Sequence, residues 1–268
     1  MRVMPNDFSI VSAVEALAPS RFAVTIPDGW QQGRGAFGGL VLATLLRAIE
    51  KSEPDDGRAT RTLAGDLCGP ALPGPAEIRV RALRRGNNQS NLAAELVQGG
   101  EVLATASVVR STPRRAAGVP PLPRTSPSPL PPWRELPDLG LGPPLGPPFA
   151  QHYEYRAAGA AFALGSAAVL DGYIRERVPL GRIDAPALIG RLDAWWPTLF
   201  AVSAPRPCAT ISFVAEILVD PATLPPDEPL RHHARMSAAH DGFFVELREL
   251  WSGDRVVAMN QQTFAILK

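Results

Sequence analysis

The sequence predicts an α+β protein of two similar units, each a curled antiparallel sheet wrapped around one helix. Three observations support this prediction. A strand, an apolar helix and four further strand-like runs occur in the same order twice along the chain. A proline-rich stretch separates the two copies. Within the runs, apolar and polar residues alternate as they do in antiparallel strands with one wet face.

The first copy begins with a short strand, 22–26, followed by a helix predicted over 36–51. This helix is almost entirely apolar until its last turn, so we expect it to be buried at the centre of its unit. Gly38 and Gly39 lie at its start and allow the backbone to approach another group closely. Turn signals separate the four strand-like runs that follow, which are 61–67, 76–84, 91–98 and 102–109.

Residues 113–148 form the predicted linker, where the composition changes to proline with Leu, Gly, Ser and Arg. No hydrophobic period continues through it, so an extended connector is preferred over a Pro-x-x-Pro recognition motif. At about 3.1 Å per residue it could cross a whole domain. We therefore place the N-terminal unit at 1–112 and the C-terminal unit at 149–268.

The second copy is organised around a helix predicted over 184–200. Asp184 is a suitable N-cap, and Pro197 marks where the pattern should end. Asp193 lies at the edge of the apolar face of this helix, so its carboxylate is either a solvated boundary residue or a working acid. The strands predicted for this copy are 151–156, 167–178, 209–219, 230–238, 243–251 and 255–267.

Composition excludes several classes of function. A net charge of +1, with no basic stripe, argues against nucleic-acid binding. No apolar run reaches the roughly 18 to 20 residues of a membrane span, and the start has no signal-peptide pattern, so we expect a soluble cytoplasmic protein that does not engage membranes. Cys68 and Cys208 lack metal-ligand spacing and are predicted to be free, buried thiols. His232 and His233 should point to opposite faces of a strand, and we expect no metal and no cofactor.

Five segments then carry a family resemblance; they are 36–39, 83–87, 98–104, 192–197 and 209–213. In this order they resemble the double-hotdog acyl-CoA thioesterases, of the acyl-CoA thioesterase II type and its thioesterase-like relatives. The likeness extends from about residue 22 to the C-terminus and is interrupted at the linker. It implies a double hotdog that hydrolyses acyl-CoA thioesters to free acid and CoA.

The resemblance also implies which residues act. In that family a helix Asp, a strand Ser or Thr and a Gln of the last strand position the hydrolytic water. These roles fall on Asp193, Thr210 and Gln262. Each residue also has a structural interpretation, since threonine is common in strands and a glutamine can be a satisfied core amide. Asp66, in a strand of the first copy, is the alternative acid.

The substrate should contact both helices. The bare N–H groups at Gly38 and Gly39 could polarise the thioester carbonyl, or the glycines could merely allow close packing. Trp195 and Trp196 could line the acyl tunnel or simply pack in the core. Only the second helix carries an acid in its middle, so we expect one site per chain, with the acid from the second half.

Two other functions compete with this one. A hotdog protein could bind acyl-CoA without hydrolysing it. A hotdog hydratase or dehydratase would need an Asp/His pair, but the histidines at 152, 232, 233 and 240 do not follow a helix Asp in that way. There is no Gly-x-Ser-x-Gly elbow, which argues against an α/β-hydrolase. We expect chains to associate as dimers or larger homo-oligomers.

Overall fold

The computed structural model of the protein describes residues 7–54, 57–114, 127–159, 162, 164–165 and 167–267. Its three α-helices are α1 (Phe8–Val11), α2 (Gly38–Ser52) and α3 (Ala185–Asp193). The strands before the linker are β1 (Glu15–Ala18), β2 (Arg21–Ile26), β3 (Gln31–Gln32), β4 (Gly35–Ala36), β5 (Ala59–Leu67), β6 (Gly74–Arg85), β7 (Gln89–Gln98) and β8 (Glu101–Ser111). The strands after it are β9 (Tyr153–Ala157), β10 (Val169–Glu176), β11 (Cys208–Ile217), β12 (Leu230–His240), β13 (Phe243–Ser252) and β14 (Arg255–Ile266).

Twelve of these strands form one antiparallel sheet, in the order β1-β2-β6-β7-β8-β5-β11-β14-β13-β12-β10-β9. Read outwards from the β5–β11 junction, both halves have the same topology. In each half the strand that follows the helix, β5 or β11, is at the junction, and the last strand of the copy, β8 or β14, is next to it. The sheet strand that precedes the helix, β2 or β10, is the fifth strand from the junction. The repeat predicted from the sequence is therefore present in the strand order.

Helix α2 is buried for most of its length, as its apolar sequence predicts. Every residue from Gly38 to Leu46 is buried, and the first exposed position is Lys51. The helix contacts β6, β7 and β8 on one side and α3 on the other. Both helices and the strands contribute residues to one hydrophobic core.

Helix α3 is shorter than predicted. Asp184 caps its start as expected, accepting a hydrogen bond of 2.9 Å from the Ala187 N–H. The helix ends at Asp193, however, and the chain turns through a 3₁₀ helix at Thr198–Ala201 instead of continuing to 200 as one helix. Asp193 is therefore the last helical residue and not a mid-helix one.

Two other predictions differ from the structure. Residues 151–152 belong to a 3₁₀ helix, Pro148–His152, and not to the following strand. Both cysteines are free, but Cys68 is exposed and Cys208 half-buried, so neither is a buried thiol. Of the predicted linker, residues 115–126 lie outside the described residues. None of the helices in the described part of the chain is long and apolar enough to span a membrane.

Candidate active site

Asp193 lies where the C-terminal end of α3 meets the N-terminal end of α2. Its carboxylate accepts a hydrogen bond from the Gly39 backbone N–H. A Cβ at Gly38 would come within 3.0 Å of Asp193 Oδ2, and a Cβ at Gly39 within 3.0 Å of Asp193 Cβ. Glycine at both positions therefore allows this approach, and the positive end of the α2 dipole favours the anion.

Gln262 joins Asp193 to Thr210. Its Nε2 donates to Asp193 Oδ1 and to Thr210 Oγ1, both at 2.6 Å. The Gln262 side chain is fully buried, and its Oε1 has no protein partner among the described residues. The three side chains that the resemblance selected are thus brought together from α3, β11 and β14.

A β-bulge places Thr210 in this cluster. The register between β11 and β14 shifts at Ile211, so that Thr210 pairs with Phe264 while Ser212 pairs with Thr263. Phe264 is on the same inner face as Gln262, two residues away. Without the extra residue, simple alternation from the buried Phe213 would turn Thr210 to the outer face.

The electrostatics of Asp193 favour a base. Burial raises the pKa of Asp193 above its ordinary value, and this effect outweighs the lowering by Arg248, by the Gln262 amide and by the Gly39 N–H. The side chain is only 8% exposed. A desolvated carboxylate of raised pKa takes up a proton more readily than an exposed one.

A buried ion pair beneath α3 fixes the turn that carries Asp193. Arg248 Nη1 donates to the carbonyl oxygens of Leu192, Asp193 and Trp195 at 3.1, 3.2 and 3.1 Å. Arg248 Nε donates to Glu246 Oε2 at 2.9 Å, and Glu246 Oε1 accepts from the Thr198 hydroxyl at 2.7 Å. The pair satisfies carbonyls that a helix end leaves without partners.

Two depressions lie near residues of this cluster. The first, here called the glycine groove, has a volume of about 390 Å³ and is lined by Gly35, Gly38, Gly69 and Thr210 among others. The second, here called the aromatic cavity, has a volume of about 640 Å³. Its aromatic lining residues are Phe149, Tyr155, Phe162, Trp195, Trp196 and Phe200. Gln32 is on the lining of both depressions.

The two tryptophans differ in environment. Trp195 is 2% exposed and stacks on His232, with ring centroids 4.9 Å apart. Trp196 is half-buried and contacts Phe162, with centroids 5.0 Å apart. Both tryptophans line the aromatic cavity. Trp195 is also part of the hydrophobic core, so it packs in the core and lines the cavity at the same time.

The alternative acid and the histidines lie elsewhere. Asp66 is exposed and pairs in register with Ser212, on the face of the sheet opposite the buried pair Gly65–Phe213. The structure therefore does not bring it to the cluster. His233 contacts Asp171 at 3.0 Å while His232 is buried on the other face, as predicted.

Sequence reasoning missed Arg248, Glu246 and Gln32. Along β13, Glu246 and Arg248 alternate with the apolar Val245 and Leu247. Alternation of this kind favours an outward, solvated position for the charged side chains, so the sequence carried no signal of the buried ion pair. Gln32 lies in a short strand that has no pattern to distinguish it.

Comparison with known proteins identifies the family of the chain. Residues 26–111 match the family model of the acyl-CoA thioesterase N-terminal domain. Residues 121–266 match that of the acyl-CoA thioesterase C-terminal domain. None of the curated proteins matches the chain in sequence.

Solved structures share the fold. A conserved protein of unknown function with a hot dog fold from Alicyclobacillus acidocaldarius is 25% identical, with a TM-score of 0.86 over 97% of this chain and 98% of that one. A candidate thioesterase II from Thermobifida fusca is 22% identical, with a TM-score of 0.83 over 100% and 99%. The acyl-CoA thioesterase II TesB2 from Mycobacterium marinum is 17% identical, with a TM-score of 0.77 over 97% and 98%. With both domain models matched in order along one chain, the protein belongs to the acyl-CoA thioesterase family.

Proposed function

We propose that the protein hydrolyses acyl-CoA thioesters at the cluster of Asp193, Thr210 and Gln262. The single observation that carries the proposal is the bridging Gln262 amide, which lies 2.6 Å from both Asp193 Oδ1 and Thr210 Oγ1. This bridge aligns a carboxylate and a hydroxyl beside a groove that reaches the surface. A water bound between them would have a base on one side and a hydroxyl on the other.

In this mechanism Asp193 is the general base. Its carboxylate takes a proton from the water as the water oxygen attacks the thioester carbonyl carbon. The Thr210 hydroxyl accepts from Gln262, so its own proton remains to be donated to the water oxygen. Gln262 donates its amide hydrogens to Asp193 and Thr210. It therefore positions these two side chains and does not hold the water through its NH₂ group.

The carbonyl oxygen would lie at the N-terminal end of α2. Helix N-termini present N–H groups and a positive dipole end, which stabilise the oxyanion of the tetrahedral intermediate. Gly38 lines the glycine groove, whereas the Gly39 N–H is already bonded to Asp193. We therefore assign the oxyanion role to the Gly38 end and an orienting role to Gly39. The intermediate collapses as its C–S bond breaks and releases the CoA thiolate, a good leaving group because an alkyl thiol such as that of cysteine is acidic, with a pKa of about 8.5.

The two depressions suit the two parts of the substrate. The aromatic cavity is apolar and would take the acyl group, with Trp196 on its wall. The glycine groove is lined in part by glycines, which leave room for the pantetheine arm, and Arg34 on its lining would face the anionic end of CoA. The thioester would then lie between them, near Gln32.

The same proposal extends to the architecture. We interpret the chain as a double hotdog in which α2 and α3 are the central helices of units 1–112 and 149–268, joined by the linker 113–148. Only α3 carries an acid at the point where the helices meet. One reaction centre per chain follows, built from the end of α3 and the start of α2.

Thiol release from a panel of acyl-CoAs tests the function. The wild type should release free CoA, and Asp193→Asn should lower kcat/KM at least ~100-fold, as expected for loss of a general base. Asp66→Asn is the matched control, since it makes the same chemical change on an exposed strand residue and should leave the rate unchanged. Wild-type binding of acyl-CoA without thiol release would contradict hydrolysis. Full activity in Asp193→Asn would contradict the assignment of the base.

A further inference from the structure

Residues 127–147 of the predicted linker, here called the strap, are attached to the second unit by hydrogen bonds and an ion pair. Arg231 Nη2 donates to the Ser128 carbonyl at 2.7 Å, and the Leu139 N–H donates to the Tyr155 carbonyl at 2.9 Å. Asp138 pairs with Arg177 at 2.7 Å. The strap is therefore bonded along its length to β9, β10 and their neighbours.

A cation cluster adds to this attachment. The indole of Trp133, on the strap, has three guanidinium groups within 4.5 to 5.0 Å of its centroid, from Arg134, Arg156 and Arg175. Arg156 and Arg175 also share the carboxylate of Glu154 on β9. Contacts of this kind stabilise a segment whose regular structure is limited to the short 3₁₀ helix Trp133–Glu135.

The C-terminal end of the strap forms one wall of the aromatic cavity. Leu141, Leu145, Gly146 and Pro147 line it. The Gly146 N–H donates to the Gly142 carbonyl at 2.8 Å and closes a turn that presents Leu145. The facing wall is aromatic and includes Trp196.

This cavity is lined by residues that neighbour the proposed reaction centre in the chain. Ala194 and Trp195, which line it, directly follow Asp193 in the chain. Cys208, which also lines it, comes two residues before Thr210 on β11. If Asp193 acts on a thioester, as proposed above, the part of the substrate that enters this cavity is the acyl group.

We propose that the strap is the specificity-determining wall of the acyl site, and that Leu141 and Leu145 select large apolar acyl groups. A volume of about 640 Å³ corresponds to roughly 20 water-sized groups at ~30 Å³ each, far more than an acetyl group needs. Leu145 is 75% exposed. A long acyl group that extends to the cavity mouth would cover this side chain and gain affinity from the apolar area buried.

Binding of non-hydrolysable thioethers tests this inference separately from catalysis. The dissociation constants of dodecyl-CoA and ethyl-CoA are measured for the wild type, Leu145→Ser and Leu141→Trp. Leu145→Ser should weaken dodecyl-CoA about tenfold by removing apolar contact, and Leu141→Trp should do the same by filling the cavity. Both variants should bind ethyl-CoA within about twofold of the wild type. Leu83→Ser is the control, because Leu83 is an exposed leucine of β6 in the other half.

The outcomes separate this inference from the proposed function. Selective weakening of dodecyl-CoA supports the strap as the acyl wall, even if the wild type releases no thiol from any acyl-CoA. Unchanged dodecyl-CoA binding in Leu145→Ser, whose exposed site tolerates serine, would overturn the inference even in an active thioesterase. Equal weakening of both thioethers would overturn it too, because the strap would then not distinguish acyl size.

Discussion

Removal of the Thr210 hydroxyl is the sharpest test of the cluster, because valine is nearly isosteric with threonine. Thr210→Val removes the acceptor that lies 2.6 Å from Gln262 Nε2. It leaves that buried N–H without a partner, at a cost of about 1–3 kcal/mol in unfolding free energy. For a chain of this size, that corresponds to a fall in Tm of roughly 2–12 °C. Loss of the donor to the water should lower kcat/KM by about 10²–10³-fold, the range seen when one positioned donor is removed.

The assay pairs thiol-release kinetics with thermal unfolding, and Thr210→Ser is the matched variant. Serine restores the hydroxyl without the methyl group, so it should recover most of the activity and most of the Tm. If valine kept full activity, Thr210 would be only a strand residue. If serine were as poor as valine, the defect would come from packing at the bulge and not from the hydroxyl.

Two further predictions follow from the charges around Asp193. Arg248→Met should lower kcat with little change in KM, and it should move the acid limb of the pH–rate profile to higher pH, because Arg248 lowers the pKa of Asp193. The same substitution should lower the free energy of unfolding by about 3–5 kcal/mol, since it leaves the charge of Glu246 buried and unpaired. An acid limb that does not move would refute the influence of Arg248 on Asp193. Folding raises the pKa of Asp193 above 3.8. Between pH 3.8 and this raised pKa, the Asp193 carboxyl group is therefore more protonated in the folded protein than in the unfolded chain. Wild-type stability relative to Asp193→Asn should therefore fall as pH rises from about 3.8 through the raised pKa, by at most about 1.4 kcal/mol per pH unit, while kcat/KM rises. Thermal unfolding of both proteins across that range measures the difference, and parallel curves would contradict it.

Much of the fold could be predicted from local patterns. The two apolar helices and the long strands follow from periodicity and turn residues, and the repeat appears in the strand order. The exact end of α3 could not be predicted, because Pro197 indicates a stop only approximately and the apolar pattern continues to Phe200. The helix stops at Asp193 where Arg248, 55 residues later in the chain, binds the last carbonyls. A long-range contact of this kind leaves no trace in the helix sequence.

The candidate site, like the fold, could be predicted from the sequence only in part. Asp193 was a candidate from its place at the edge of the apolar helix face, but its role came from the family resemblance. Thr210 and Gln262 came from the resemblance alone, since the sequence pattern did not distinguish them from ordinary strand and core residues. The bulge at Ile211, which turns Thr210 inwards, breaks the alternation on which strand predictions depend. The strap has no period at all, so its role as a cavity wall could be found only in three dimensions.

The pairing of β5 with β11 makes the two halves of the chain dependent on each other. Five residue pairs, from Ser212–Asp66 to Glu216–Thr62, join the halves into one ladder. A half on its own would expose this strand edge, which is a template for self-association. It would also hold only one of the two helix ends that meet at Asp193. A chain cut within the linker would therefore need both fragments to restore either a protected sheet or a reaction centre.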